Sequence, residues 1–121
     1  MTTDMALKGV YLEPMRRGVK TIEYRDLTEY YVNKLVDVAS YNKPIREIMD
    51  GLHDGTLELK TKDITHIMFH ESKTGVRLKA EVRYIKVFKG HHCFCIGIGK
   101  VEPIYDNNNE NKRPGTLQSA V

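Results

Sequence analysis

Three segments in the C-terminal half of the chain alternate between apolar and polar residues, and they constrain the fold more than any other feature. They are "ITHIMFHE", "VRLKAEVRYIKVF" and "CFCIGIGKV", at residues 64–71, 76–88 and 93–101. Such alternation, rich in β-branched and aromatic residues, is typical of strands with one buried face. The apolar phase of the second segment changes after Tyr84, which predicts a β-bulge near that residue. In the third segment, Gly97 and Gly99 predict a close approach of another group to the backbone.

Two amphipathic helices are predicted before these strands. Asp26, followed three residues later by Glu29, resembles a helix start, and Pro44 suits the first turn of a second helix that "HDG" would end. The apolar residues at helical spacing are Leu27, Tyr31, Leu35 and Val38 in the first helix, and Ile45, Ile48, Met49 and Leu52 in the second.

The N-terminal segment "GVYLEPMRRG" predicts a short helix that ends at Arg17. Pro14 suits its first turn, and Gly18 suits the left-handed position that follows a helix.

The next segment, "KTIEYR", alternates and predicts a strand. Ile22 and Tyr24 are expected to face the core. The opposite, charged face would then carry Thr21, Glu23 and Arg25.

These elements predict an α+β fold, a small curled β-barrel of about five to six mostly antiparallel strands with two to three helices. Closure of the barrel would remove exposed strand edges. A chain of 121 residues fits one domain, expected at residues 1–106. The segment "NNNENKRPGTLQSAV", residues 107–121, has few large apolar residues and is predicted to be a disordered tail.

Composition restricts the partners and the compartment. The formal net charge is +3, with 19 basic residues interspersed among 16 acidic ones, so a nucleic-acid partner is permitted but not required. No apolar run approaches the roughly 20 residues of a membrane span, and no membrane partner is expected. Cys93 and Cys95 are too close in sequence to form a disulfide easily. The chain is therefore predicted to be cytoplasmic.

The histidines and cysteines do not predict a metal site. His66 and His70 lie on a predicted strand, which would separate them by about 13 Å. The segment "HHCFC" lacks the second ligand pair of a zinc site. Neither a metal nor another cofactor is expected.

The spacing Gly18-x-Lys20-x-x-Glu23-x-Arg25 is similar to the G-x-K-x-x-E-x-R signature of the ASCH domain, a PUA-like β-barrel family. In that family the signature follows a short helix and enters a strand, as "YLEPMRRGVKTIEYR" is predicted to do. The resemblance implies a cleft beside the barrel that binds RNA or a nucleotide and is lined by these four residues.

The residue types suit such a ligand. Lys20 offers a mobile charge, Arg25 offers a planar donor fork for phosphate or a base edge, and Glu23 can accept from an amino group or hold the arginine. Tyr30 and Tyr41 are further candidates, for stacking on a base at the cleft rim. Helical spacing instead predicts a core position for Tyr31.

The resemblance leaves an enzymatic alternative open. Some family members are amidohydrolases that deacetylate N4-acetylcytidine with a lysine, a threonine and a glutamate, which implies that Lys20 is the catalytic lysine. Glu23 stands where those enzymes have the threonine, and Thr21 is nearby but does not match that position. Glu81 is the candidate for the distal glutamate. Binding of RNA or a nucleotide or nucleoside is therefore preferred.

Hydrolysis of a modified nucleoside is the alternative to binding, and a protein-interaction module is the second alternative. DNA stays open as a ligand, and the sequence does not predict the oligomeric state.

Overall fold

The computed structural model describes residues 1–105, which form an α+β fold with a five-stranded sheet and three α-helices. The strand order is β1-β3-β4-β5-β2, and only the β1–β3 pair is parallel. The predicted fold class is confirmed. The elements are β1 Thr2–Ala6, α1 Leu12–Arg16, β2 Ile22–Asp26, α2 Glu29–Leu35, α3 Ile45–Asp54, β3 His66–His70, β4 Arg77–Val87 and β5 Cys93–Ile104, with 3-10 turns at Gly9–Tyr11 and Val38–Tyr41. The predicted tail, residues 107–121, lies outside the described residues.

The sheet curls so that its two edge strands approach each other. β1 and β2 stand at opposite ends of the strand order and do not pair. Nonetheless, Arg25 of β2 donates from Nη2 to the carbonyl of Ala6 on β1 at 2.6 Å. On the same side, Lys34 of α2 donates to the carbonyl of Asp4 at 2.9 Å. The half-barrel is thus held at its open seam by side chains and not by a strand ladder.

The core lies between the concave face of the sheet and helices α2 and α3. Phe69, opposite Leu78 in the β3–β4 ladder, is fully buried, as is Phe94 of β5. Burial of one such side chain stabilises the fold by about 1.5–3 kcal/mol. The helices contribute the buried residues Val32, Leu35, Ile48 and Leu52.

The predicted bulge in β4 is present. The β4–β5 register shifts twice, between Ala80 and Val82 and between Val82 and Tyr84. After the shift, the ring of Tyr84 lies over Gly97, where a Cβ atom would collide with it. The glycine in β5 is therefore required for the close approach that the sequence predicts.

One boundary prediction is wrong, and one strand was not predicted at all. α2 begins after Thr28, whose Oγ1 accepts from the N–H of Tyr31 at 3.3 Å, and not after Asp26, which ends β2. β1 was not predicted, because Met5 is its only buried residue and a single apolar position gives no alternation. The parallel ladder with β3 holds this strand in place.

Candidate functional site

A cleft of about 730 Å³ opens at the seam between β2 and the end of β1. Because β1 and β3 are parallel neighbours, the segments that follow them emerge at the same end of the sheet, opposite β2. Four of the lining residues are cationic and three are acidic, which gives the cleft a small excess of positive charge. The lining residues are Ala6, Leu7, Lys8, Gly9, Tyr11, Lys20, Glu23, Tyr24, Arg25, Asp26, Tyr31, Glu71, Ser72 and Lys73.

The end of α1 positions Lys20 at the cleft. Gly18 adopts a φ of 77°, and the N–H groups of Val19 and Lys20 then both donate to the carbonyl of Pro14 at 2.9 Å. A Cβ atom at Gly18 would meet nothing within 4 Å, so the left-handed backbone, and not a lack of space, requires glycine here. Gly18 itself does not line the cleft; it shapes the turn that brings Lys20 there.

Lys20, Glu23 and Arg25 form a charged cluster in the cleft. Lys20 Nζ lies 3.1 Å from Glu23 Oε1, and Arg25 Nε donates to Glu23 Oε2 at 2.9 Å, with a second bond from Nη2 to the same oxygen. The side chains of the lysine, glutamate and arginine are only 18%, 8% and 13% exposed. The cluster is therefore a largely desolvated carboxylate between two cations. A buried charge is strongly destabilising unless it is paired in this way.

The predicted faces of β2 are reversed. Tyr24, expected in the core, is 59% exposed, whereas Glu23 is 6% exposed. In the β2–β5 ladder Glu23 and Arg25 stand opposite Ile96 and Phe94, which are fully buried. The charged side chains point inward because they neutralise one another there, and Ile22 on the other face is only half-buried.

Arg25 uses most of its hydrogen-bonding capacity inside the protein. In addition to Glu23, it donates from Nη1 to the hydroxyl of Tyr31 at 2.8 Å and from Nη2 to the carbonyl of Ala6. Burial alone would lower the pKa of Arg25, but the hydrogen bonds that Arg25 donates to Tyr31 and Glu23 outweigh burial and raise the pKa. Arg25 thus joins β2, α2 and β1. Few of its N–H groups remain free for the ligand contact that the sequence predicts for this residue.

Lys20 is better placed to contact a ligand. Its ammonium group donates to the carbonyl of Ile22 at 2.8 Å and pairs with Glu23, which leaves a third N–H. The ring of Tyr11 lies beside it, with Nζ 4.7 Å from the ring centroid. Tyr11 was not predicted as a site residue, since nothing in "GVYLEP" indicates that this turn faces β2.

Tyr31 also belongs to the cleft and not simply to the core. It is half-buried, and its hydroxyl oxygen accepts from Arg25. The O–H of Tyr31 therefore remains a donor that has no acceptor among residues 1–105, and it lies at the cleft.

Glu71 lies on the opposite wall, after β3, and is 4% exposed. Its Oε1 accepts from the N–H and hydroxyl of Thr74 at 2.8 and 2.7 Å, and its Oε2 accepts from the N–H of Lys73 at 3.1 Å. The hydrogen bond from the Thr74 side chain, followed by those from the two N–H groups, lowers the pKa of Glu71 below its ordinary value. The carboxylate therefore stabilises the turn in which it lies. The sequence "ESKTG" is typical of such a turn, but it does not indicate that the turn lies opposite β2.

The remaining predicted site residues lie outside the cleft lining. Thr21 is exposed, and Tyr30 is 64% exposed, packed edge-to-face on Tyr31 with centroids 5.0 Å apart. The hydroxyl of Tyr41 joins the turn at residues 58–60, where it donates to the Glu58 carbonyl at 2.6 Å and accepts from Lys60 N–H at 2.7 Å. Glu81, on β4, accepts from the N–H of Lys100 at 3.0 Å. Tyr41 and Glu81 thus stabilise local structure, and Glu71, unlike Glu81, lines the cleft on the wall opposite Lys20.

The structure also bears on the histidines of β3, on metal binding and on membrane spans. His66 and His70 lie on β3 as predicted. Residues 1–105 contain no group of three or more His, Cys, Asp and Glu side chains arranged to hold a metal ion. Within the same residues, no helix has the length and apolar content needed to cross a membrane.

Comparison of the chain with protein-family models, with curated proteins and with solved structures found no match. The similarity to the ASCH signature therefore stays a prediction that rests on four residues and on their position between a helix and a strand.

Proposed function

We propose that this chain is a small ASCH-type protein that binds RNA or a nucleotide in the cleft beside β2. The observation that carries the proposal is the charged cluster, in which the carboxylate of the buried Glu23 is held between Lys20 and Arg25 within an open cleft. The free thiols of the protein, Cys93 and Cys95, are compatible with the reducing cytoplasm, where we propose that the protein acts.

Burying the charged cluster carries a desolvation cost that a purely structural strand would avoid. Glu23 faces Ile96 across the ladder, so an apolar side chain at this position would extend the core without that cost. Clustered, desolvated ionisable groups in a cleft are characteristic of sites that bind or transform a ligand. The cluster thus supports a functional role for this surface.

The chemistry of the lining favours a planar, polar ligand with negative charge. Lys20 and the hydroxyl of Tyr31 supply donors, Glu23 supplies an acceptor, and the ring of Tyr11 offers a surface for a base. Lys8 and Lys73 add positive charge to the lining. A volume of about 730 Å³ lies within the usual range for small-molecule sites and accommodates a nucleotide.

Calorimetry with the four ribonucleoside 5′-monophosphates and a short single-stranded RNA tests this proposal. Lys20→Ala removes a charge-assisted donor and is expected to weaken binding by about tenfold or more. Lys60→Ala is the matched control, because it removes the same charge from a residue outside the cleft lining. Equal losses in both variants, or no binding by the wild type, would contradict the proposal. Single-stranded DNA of the same sequence, tested in parallel, establishes whether the ribose is recognised.

An amidohydrolase is the second candidate, and one observation favours it. Lys20 and Glu71 line the same cleft, which supplies the distal acidic residue that Glu81 does not. Hydrolysis would add water across the amide of N4-acetylcytidine and release cytidine and acetate. Incubation of the protein with N4-acetylcytidine, followed by mass spectrometry, decides between the two candidates. If the protein is a hydrolase, cytidine forms with the wild type and not with Lys20→Ala. If neither ligand is bound or cleaved and a protein co-purifies in fixed stoichiometry, an interaction module is the better description.

A further inference from the structure

The main chain of β2 has one edge in the sheet and one edge along the seam. Thr21 accepts from the N–H of Ile98 at 2.8 Å, and Leu27 donates to the carbonyl of His92 at 2.8 Å. The β2–β5 register runs unbroken between these two bonds. Because hydrogen-bonded and non-hydrogen-bonded pairs alternate in an antiparallel ladder, odd-numbered residues of β2 direct their N–H and C=O groups to β5. The even-numbered residues direct theirs to the seam.

Most carbonyls on the seam edge are already used. The carbonyl of Ile22 accepts from Lys20 Nζ at 2.8 Å, and that of Asp26 accepts from the N–H of Thr28 at 2.9 Å. Between them, the N–H and C=O of Tyr24 have no hydrogen-bond partner within residues 1–105. Tyr24 is therefore the one position on this edge where a complete donor and acceptor pair is free.

The free pair belongs to the cleft. Tyr24 is a lining residue, although its ring is 59% exposed and stands opposite Cys95, on the face away from Glu23. The ring thus points to the outer face of the sheet, and the main chain is the part of this residue that borders the seam.

We propose that the main-chain N–H and C=O of Tyr24 pair with the edge of a nucleobase, an inference that rests on the proposed function and adds the group that recognises the base. Every nucleobase has a donor and an acceptor side by side on its Watson–Crick edge, and RNA-binding proteins read that edge in unpaired bases.

An extended peptide is the other ligand that hydrogen-bonds to a strand edge, but this edge fits it poorly. Adding a strand requires a row of free groups on alternate residues. Here the carbonyls on both sides of Tyr24 are occupied, so the edge offers one complete pair, which matches a base and not a strand. The adjacent charged cluster and the ring of Tyr11 supply further contacts for a nucleotide.

Amide hydrogen exchange in the wild-type protein tests the inference. Without ligand, the Tyr24 amide is expected to exchange much faster than the amides of Glu23 and Arg25, which lie in the ladder. Saturation with the ribonucleoside 5′-monophosphate that binds best should slow the exchange of Tyr24 by about tenfold or more, the factor for one added hydrogen bond of about 1.4 kcal/mol. Ribose 5-phosphate, which lacks a base, should leave it unchanged.

Two variants separate the main chain from the side chain. Tyr24→Pro removes the N–H at a position where the ladder does not need it, so an edge strand tolerates it. Tyr24→Ala removes the ring and keeps the N–H. We expect Tyr24→Pro to bind the nucleotide about tenfold more weakly than Tyr24→Ala does, because only the proline variant lacks the N–H.

The possible outcomes are distinct. Nucleotide binding with unaltered Tyr24 exchange, or equal protection by ribose 5-phosphate, would overturn this inference and leave the proposed function standing. No binding by any of the four nucleotides would overturn both. If Tyr24→Pro does not fold, the exchange measurement on the wild type alone decides.

Discussion

The two walls of the cleft each contain a buried carboxylate, and the two carboxylates are stabilised in different ways. Glu23, 6% exposed, depends on cations from its own strand and from the preceding turn, and one of these, Arg25, is held by α2 and β1. Glu71, 4% exposed, is satisfied by N–H and hydroxyl groups within three residues of it in sequence. The first carboxylate depends on the assembled fold, whereas the second requires only its own turn.

This difference assigns separate roles to the walls. The wall formed by the loop after β3 has its polar groups satisfied within the loop, because both oxygens of Glu71 accept hydrogen bonds from Lys73 and Thr74. The β2 wall keeps an N–H of Lys20 and the main chain of Tyr24 without partners in the described part of the chain. Ligand recognition is therefore expected chiefly along β2.

The largest expected effect is that of Glu23→Ala on stability. The substitution leaves Lys20 and Arg25 as partly buried cations without their shared carboxylate, while Arg25 keeps its hydrogen bonds to Tyr31 and Ala6. Because both cations keep some contact with water, we expect a loss near the lower end of the range for broken buried pairs, about 3 kcal/mol in urea unfolding. The exposed Glu81→Ala serves as control and should cost about 1 kcal/mol or less. Similar losses in both variants would mean that Glu23 is not the centre of a desolvated cluster.

Glu71→Gln should have a smaller effect that depends on pH. The folded-state pKa of Glu71 lies below its ordinary value of about 4.5, so its stabilising contribution is complete above pH 4.5 and is lost as the pH falls through the folded-state pKa. The difference in unfolding free energy between wild type and variant should therefore be largest near neutral pH and shrink in acid. Urea unfolding at a series of pH values between 3 and 7 measures it. A difference that is constant across this range would exclude a titrating Glu71 as the cause.

Tyr31→Phe should have the smallest effect on stability. It removes the hydroxyl that accepts from Arg25 Nη1 and leaves the ring in place, so we expect a loss of about 1 kcal/mol. Tyr30→Phe is the matched control, with an expected change below about 0.5 kcal/mol, since Tyr30 is 64% exposed. If the two variants unfold at the same urea concentration, the Arg25–Tyr31 hydrogen bond does not contribute to stability.

The elements that the sequence predicts correctly have a local and continuous period. β3, β4 and β5 alternate over their lengths, and α3 combines helical spacing with Pro44 before it and Gly55, at a φ of 81°, after it. β1 has one buried residue, Met5, and its position depends on pairing with β3, which is 60 residues or more away in sequence. Such non-local pairing leaves no periodic signal.

The sequence predicted that Lys20, Glu23 and Arg25 lie close together, but it did not predict which face of β2 carries Glu23 and Arg25. The signature indicated Lys20, Glu23 and Arg25 together, yet the rule that apolar residues face the core placed them on the outer face of β2. That rule fails here because Glu23 is buried between two cations that pair with it, and the alternation of a five-residue strand does not reveal such pairing. Tyr11 and Glu71 could not be assigned to the site, since they meet β2 only through the parallel β1–β3 pair.

The most direct test of the central claim is a two-dimensional amide NMR titration of the wild-type protein with the four ribonucleoside 5′-monophosphates. If the cleft binds a nucleotide along β2, the largest shifts should occur at residues 20–26 and 31, with smaller ones at residues 71–73 and none at α3, which lies outside the cleft lining. Shifts centred on α3 or on the β4–β5 turn, or no shifts with any of the four, would contradict the claim that this cleft is a nucleotide-binding site.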